Sequence, residues 1–332
     1  MAAFVIALFT AGLGMLFSQT VSGAQAAGAG GAKPPSMANE LGRIPILEYH
    51  KIDQPEARWT RTPDHFRADL ERLWTLGYRS IALLDVLAGR IALPAGTSPV
   101  VFTFDDSSPG QFRLIQDPGA NGVDGWTIDP DCAVGILEAF GRTHPEFGHA
   151  ATFYVLPGAD PPNKLFNQPA LVARKLQYLA SHGYEIGSHT LWHADLAKYD
   201  ERTVRAQLAR AQKEVARWVP GYTLRTLALP HGDYPKVLDW AVSGSSDGVS
   251  YAHDAILKVA GGTAASPYDR LFDAYHLPRI QALDADLTRW FAETERHPER
   301  RFISDGSEKT ITVPRGDAAR VKPAFASRVI ER

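Results

Sequence analysis

Two adjacent carboxylates and one spaced pair of histidines are the groups in this chain best suited to chemistry. Asp105 and Asp106 end the apolar run in "PVVFTFDDSSPG" (Pro99 to Gly110), and His189 and His193 stand four residues apart in "GSHTLWHADL" (Gly187 to Leu196). Adjacent residues on a strand point to opposite faces, but a strand end can turn and let both carboxylates meet one cleft. Close carboxylates repel, so a metal ion, an arginine or a proton is expected beside them. Imidazoles four apart face the same way if the backbone turns helically, which is a metal-ligand spacing. Two histidines and one carboxylate leave positions open for water and substrate, as a catalytic metal requires. The other carboxylate is then free to act as a base. Taken singly, each motif reads as a turn or a cap; the metal reading rests on their joint arrangement after separate strands.

The surrounding pattern places these groups. Val100, Val101, Phe102 and Phe104 read as a strand buried on both faces. Further strands are expected at "IPILEYH", "YRSIAL", "AATFYVL", "YEIGSH", "RTLALP", "AILKVA" and "YHLPRI". Helices are expected after Thr62-Pro63, at "LLDVLAG", after Asp129-Pro130, over 169–181, after Asp200, over 235–242 and over 284–294. Strands alternating with helices argue an α/β fold, a distorted or incomplete (β/α) barrel with its chemistry at the C-terminal strand ends. Asp105, Asp106, His189, His50 and Pro230-His231 all fall at such ends. "RFISDG" and "KTITVP" read as a closing hairpin. The Gly-rich stretch from Ser107 to Trp126 reads as a long loop, a common carrier of function.

Composition narrows the class. The chain has 332 residues, is 45% hydrophobic and carries a formal charge of −2, which gives no sign of a nucleic-acid partner. Cys132 is the single cysteine, so no internal disulfide and no cysteine zinc site can form. The apolar run Ala2 to Phe17, followed by Ala24-Gln25-Ala26, reads as a signal peptide over 1–26, although no Lys or Arg precedes it. That run is shorter than the ~20 residues that span a bilayer, so no stable membrane span is expected. A flexible linker is expected over 27–43, with the fold starting near Ile44 and running to 332. Secretion, to the periplasm or cell envelope, is the implied location.

From Ile44 through Leu283 the sequence resembles the polysaccharide deacetylases of the NodB-homology type, carbohydrate esterase family 4. "VVFTFDD" resembles the first family motif, "SHTLWHADL" the second and "LALPHGDYP" the third. "IPILEYHKI" and "LPRI" resemble the branch acting on exported poly-N-acetylglucosamine. The resemblance implies a NodB-type barrel and removal of acetyl groups from N-acetylglucosamine units of an acetylated polysaccharide. It implies Asp105 as general base, with Asp106, His189 and His193 holding a divalent metal, zinc by the family's habit. It also implies a backbone N–H near His231 at the oxyanion.

The departures set further expectations. The third motif often carries an arginine near Ala228; here it has none, and His231 replaces its aromatic residue. Arg279, between Pro278 and Ile280, is expected to reach inward and hold Asp105, since a guanidinium between apolar strand residues is costly unless paired. The acid for the leaving amine is open among His231, His253 and His276. His50, Trp126 and Pro230 are expected to contact substrate, with Phe112 beside Trp126 in the cleft wall, while Trp192, between the two histidines, reads first as core and in the alternative as a surface that stacks on a sugar. His65, His144, His149, His182 and His297 read as surface or turn residues. Two other classes compete: a non-catalytic glycan-binding relative, and a non-haem iron oxygenase, whose usual antiparallel β fold the α/β alternation disfavours.

Overall fold

The computed structural model describes residues 38–117, 119 and 125–332; the expected signal peptide and the linker as far as residue 37 lie outside them. Eight parallel strands form the central sheet: β1 (Ile46–Tyr49), β2 (Tyr78–Ser80), β3 (Ser98–Phe104), β4 (Ala151–Val155), β5 (Glu185–Ser188), β6 (Thr226–Ala228), β7 (Ala255–Leu257) and β8 (Ile280–Gln281). Their order is β7-β6-β5-β4-β3-β1-β8, with β2 pairing the start of β3. Leu277 bridges Leu257 at one end of the sheet and Ile280 pairs with Leu47 at the other, so the chain around Arg279 spans both edges. The sheet is thus a curled, distorted (β/α) barrel.

Alternation along the strands sorts the side chains into two environments. Leu47, Tyr49, Phe102 and Phe104 join the outer aromatic core with Phe66 and Phe153. Phe104 stacks on Phe153 with centroids 4.9 Å apart. On the inner side Ile46, Val101, Tyr154, Ala228 and Leu257 form an apolar layer. Glu48, Thr103 and Asp105 lie further along β1 and β3 on that same side, nearer the C-terminal strand ends, and all are buried.

The helices cover the outer side for local reasons. In α1 (Pro63–Thr75) the Thr62 hydroxyl caps the His65 N–H at 3.2 Å, and Phe66, Leu70 and Leu73 are buried. α2 (Leu83–Leu87), α3 (Ala133–Thr143) and α4 (Val172–Ser181) follow their strands. In α5 (Glu201–Trp218) Asp200 caps the Thr203 N–H at 2.9 Å, and Val204, Leu208, Ala211 and Val215 form the buried stripe. α6 (Asp239–Val242) and α7 (Asp284–Arg296) complete the set.

Several expectations are corrected. The C-terminal segments form no hairpin: Ile311–Val313 pairs in parallel with Val329–Glu331, while Ile303 and Arg301 bridge to Asn39 and Arg43. Ala38 and Leu41 are buried, so the fold begins before Ile44 and takes in the end of the expected linker. The stretch after Ser107 is partly a hairpin, Leu114–Gln116 against Trp126–Ile128; residues 118 and 120–124 lie outside the described set. Phe112 is fully buried and Trp126 packs on the outer core, so the cleft-wall expectation for Phe112 fails. Helix α6 is shorter than expected because it starts at Asp239 rather than at 235; it ends at Val242 as expected and leads into an antiparallel pair, Ser243–Ser246 with Val249–Ala252. Trp192 is not core: it is 46% exposed.

Candidate active site

The apolar strand β3 delivers Asp105 into the barrel mouth, and the backbone then turns. Asp106 and Ser107 take left-handed φ values of 77° and 45°. Aspartate tolerates that region better than most residues, and the turn brings the second carboxylate to the same side as the first. Ser107 fixes the turn: its hydroxyl donates to the Asn163 carbonyl at 2.7 Å and accepts the Leu156 N–H at 3.1 Å.

β5 delivers the histidines. His189 is buried, and its Nδ1 lies 2.8 Å from the Ala228 carbonyl. A proton on Nδ1 donates there and leaves Nε2 as the free lone pair. His193 does not come round by a helical turn. Thr190 and His193 have φ of 68° and 69°, and the Thr190 hydroxyl accepts the Ala194 N–H at 2.9 Å, closing a tight loop. The result places His189 Nε2 and His193 Nε2 at 3.4 and 3.5 Å from Asp106 Oδ1. Asp106 Oδ1 is buried and has no hydrogen-bond partner among the described residues. Two atoms bound at about 2.0–2.1 Å to one tetrahedral ion stand roughly 3.3 Å apart, so this orphaned oxygen between two imidazoles fits a divalent metal. Asp106, His189 and His193 are therefore a set of groups able to hold one.

Asp105 sits in a different company. Arg279, fully buried, donates from Nη1 to Asp105 Oδ1 at 2.8 Å and from Nη2 to Oδ2 at 2.7 Å, a two-pronged pair. Its remaining donors reach the Thr103 hydroxyl at 3.1 Å, the Lys258 carbonyl at 2.6 Å and Glu48 Oε1 at 2.9 Å. All five N–H groups are thus satisfied, which is what lets a guanidinium sit inside a barrel. Its carbon lies 5.9 Å from the Tyr154 ring centroid, at the top of the apolar layer.

One guanidinium facing two carboxyls divides them. Burial works to raise the pKa of Asp105, but the charge of Arg279, with that of His189, outweighs it and holds the carboxylate well below its usual range. Burial pushes Glu48 well above its usual range; Arg279 opposes this, and the Asp105 charge adds to it. Asp105 is thus the ionised member and Glu48 the protonated one. Glu48 and His50 also converge with Asp105 as potential ligands within 4.8 Å. The Arg279 cation already occupies that corner, so it is not a second metal site.

His50 follows Glu48 at the end of β1. Its Nε2 lies 4.0 Å from Glu48 Oε1, and its carbonyl accepts from Gln111 Nε2 at 2.6 Å. Trp59 packs on its ring at 4.7 Å. Burial lowers the His50 pKa while the Asp105 and Asp106 charges pull it back up. The preceding Tyr49 is tied to Asp69 at 3.0 Å, and Asp69 is held in turn by Arg61. His231 is exposed, has φ of 61°, and its ring meets the His193 ring edge-on at 4.7 Å; Pro230 before it is buried.

The other acid candidates stand apart. His253 is buried with Nδ1 on the Ala241 carbonyl at 2.7 Å, and His276 is half-buried beside Asp273, with Nδ1 2.8 Å from its carboxylate. Burial lowers His253 to a pKa of about 4. Trp126 lies on the hairpin against the outer core. Cys132 is buried at the start of α3. Sequence reasoning passed over Glu48, Trp59 and the Ala228 carbonyl. Glu48 had a readable signal: an acid in the apolar run "ILEY", paired in register with Thr103 on the Asp105 side of β3.

Residues 124–244, which include His189 and His193, match the polysaccharide deacetylase family model. The fold is shared with the deacetylase PplD of Streptococcus pyogenes (TM-score 0.55, 20% identity, 76% of this chain and 97% of that one). It is shared too with IcaB from Ammonifex degensii (0.51, 18%, 76% and 96%) and with BC0361, a polysaccharide deacetylase from Bacillus cereus (0.50, 18%, 76% and 68%). No curated protein matches the sequence.

Proposed function

We propose that this chain is a metal-dependent deacetylase that hydrolyses acetyl groups, preferably N-acetyl groups of N-acetylglucosamine units, on a cell-envelope or extracellular polysaccharide. One observation carries the reading: an ionised Asp105 held by both prongs of Arg279, directly beside the Asp106–His189–His193 set. The family match and the fold shared with PplD, solved with acetate, support the reaction class. The apolar N-terminal run supports export. Among the described residues no helix is long and apolar enough to cross a membrane.

The chain's own groups divide the work. Asp106, His189 and His193 hold the ion, and their nitrogen and carboxylate donors suit zinc. A bound divalent ion supplies an acidified water and a positive charge facing the acetyl carbonyl. Asp105 takes the proton from the attacking water, its orientation fixed by Arg279. His50 gives a proton to the departing amine, being the one histidine outside the ligand set that converges with Asp105 among the described residues. That assignment gives to His50 the acid role left open among His231, His253 and His276; His231 keeps the backbone N–H at the oxyanion, where its left-handed turn follows β6. The products are acetate and a free amine on the sugar. The test is acetate release from a panel of acetylated glycans, with and without a chelator. Release that the chelator stops and zinc restores is expected; release indifferent to metal, or none from any glycan, overturns the reading.

A further inference from the structure

The turn that returns His193 to Asp106 has a second consequence. Leu191 and Trp192 lie between two left-handed residues, Thr190 and His193. Leu191, half-buried, packs on Gly158: its carbonyl accepts the Gly158 N–H at 2.7 Å, and its Cγ lies 2.6 Å from where a Gly158 side chain would begin. Gly158 is therefore glycine because Leu191 fills its space. With Leu191 locked below and His193 drawn to Asp106, Trp192 has only the outer side. It is 46% exposed and belongs to no core cluster. Among the described residues no aromatic ring or cation stacks on it.

Trp59 makes the contrast. It is half-buried, with its ring against His50 at 4.7 Å and the Arg58 guanidinium 5.1 Å from its centroid. Trp59 is engaged in holding His50, whereas Trp192 is unengaged. Trp192 is also bonded to His193, so its Cα lies about 3.8 Å from that of a metal-holding residue. Its exposure and its place in the chain beside His193 make the indole available to a sugar whose acetyl group enters the site. A rigid loop that presents a large apolar ring beside a reaction centre loses little conformational freedom when a ring stacks on it.

We infer that Trp192 is a stacking platform for the pyranose ring of a glycan substrate, a binding subsite at the mouth of the metal centre. The inference rests on the proposed deacetylase reading and adds where the chain is gripped. A pyranose offers an apolar face of C–H groups that covers the indole, while its hydroxyls stay in water. The platform serves a polymer or oligomer more than a small acetyl ester, which has no ring to lay on it.

The test compares kinetics and binding. Trp192→Ala, Trp192→Phe and the control Leu271→Ala, at a 73% exposed leucine outside the site, are assayed on an N-acetylglucosamine oligomer and on an aryl acetate. The expected result is that Trp192→Ala raises KM for the oligomer roughly tenfold, with a smaller change on the ester. Trp192→Phe restores most of the loss, and Leu271→Ala changes neither substrate. Intrinsic fluorescence of metal-free protein titrated with the oligomer is expected to respond in wild type and much less in Trp192→Phe. An unchanged oligomer KM in an active Trp192→Ala enzyme overturns the platform and leaves the deacetylase reading standing. Equal losses on oligomer and ester also overturn it. Wild type that releases no acetate and shows no fluorescence response overturns both.

Discussion

Two regions of this molecule bury a pair of carboxyl groups, and they resolve the repulsion in opposite ways. In the barrel mouth Asp105 and Glu48 share the guanidinium of Arg279. Where the first and last parts of the described chain meet, buried Glu40 and half-buried Asp305 lie together with no cation bonded to them among the described residues, only the charge of Arg328 nearby; the Thr312 N–H donates to Glu40 at 2.8 Å, and the Thr310 and Thr312 hydroxyls donate to Asp305 at 2.6 and 2.8 Å. Burial, with the charge of Asp305 next, pushes Glu40 up to about 8. A buried cation keeps one carboxylate ionised and available to accept a proton. Hydrogen bonds alone leave one member holding its proton. The same residue types give a reactive group in one place and a pH-dependent joint in the other.

The largest effect is expected where the cation has made a base. Asp105→Asn removes the proton acceptor but not the metal-holding set, so turnover should fall by roughly 10²-fold or more. Metal content by elemental analysis should stay at the wild-type level; in His189→Ala or Asp106→Ala both metal and activity should be lost. Retention of activity within a few-fold in Asp105→Asn would show that the base lies elsewhere.

Arg279 sharpens the comparison next. Arg279→Lys keeps a charge but loses the two-pronged fork, so kcat should drop by roughly tenfold or more with metal content intact. Arg279→Ala leaves the buried Asp105 uncompensated and should also destabilise the fold, by about 3–5 kcal/mol. Steady-state kinetics and thermal melts separate the two variants. A fully active Arg279→Lys enzyme would mean that charge alone, without orientation, suffices.

These residues also show how far the sequence could be read. The strand that ends in Asp105-Asp106, the spaced histidines and the inward arginine in "LPRI" are local patterns, and each has a physical signature in the string. The alternation of strands and helices carries the barrel in the same way. Other features depend on contacts distant in sequence. The bridge of Asn39 to Ile303 and the parallel pairing of Ile311–Val313 with Val329–Glu331 join segments whose own patterns fit a linker and a hairpin. Trp192 looked like core because indoles usually are; only the left-handed turns at Thr190 and His193 send it outward. His50 gained weight over His231 once the register of β1 against β3 placed it beside Asp105.

Glu40 tests the pair that no cation bonds; the Arg328 charge acts on it only weakly, as the last of its influences. In the folded chain it holds its proton up to about pH 8, against a reference value of 4.5. Between those values the folded state binds more protons than the unfolded one. Its contribution to stability is therefore complete below about pH 4.5 and is lost as pH rises through 8. Glu40→Gln keeps an acceptor for the Thr312 N–H and cannot ionise. Its Tm should exceed wild type at pH 9 by several degrees and match it closely at pH 5. The same offset at both pH values would remove Glu40 as the titrating group.

Asp305 makes the smallest and most specific test. After burial, its charge is the largest influence raising Glu40. Asp305→Asn removes that charge, so Glu40 should ionise at a lower pH, while burial still keeps it above the reference value. The loss of stability between pH 5 and pH 9 should become shallower than in wild type. The absolute Tm is not the readout, because asparagine accepts less strongly from the Thr310 and Thr312 hydroxyls and lowers stability at every pH. The slope against pH isolates the charge. A double-mutant cycle closes the argument: in a Glu40→Gln background Asp305→Asn should no longer change that slope, since no ionising partner remains. If the slope still changes there, Asp305 acts on some other group, and the contrast with the arginine-held pair of the barrel mouth loses its second term.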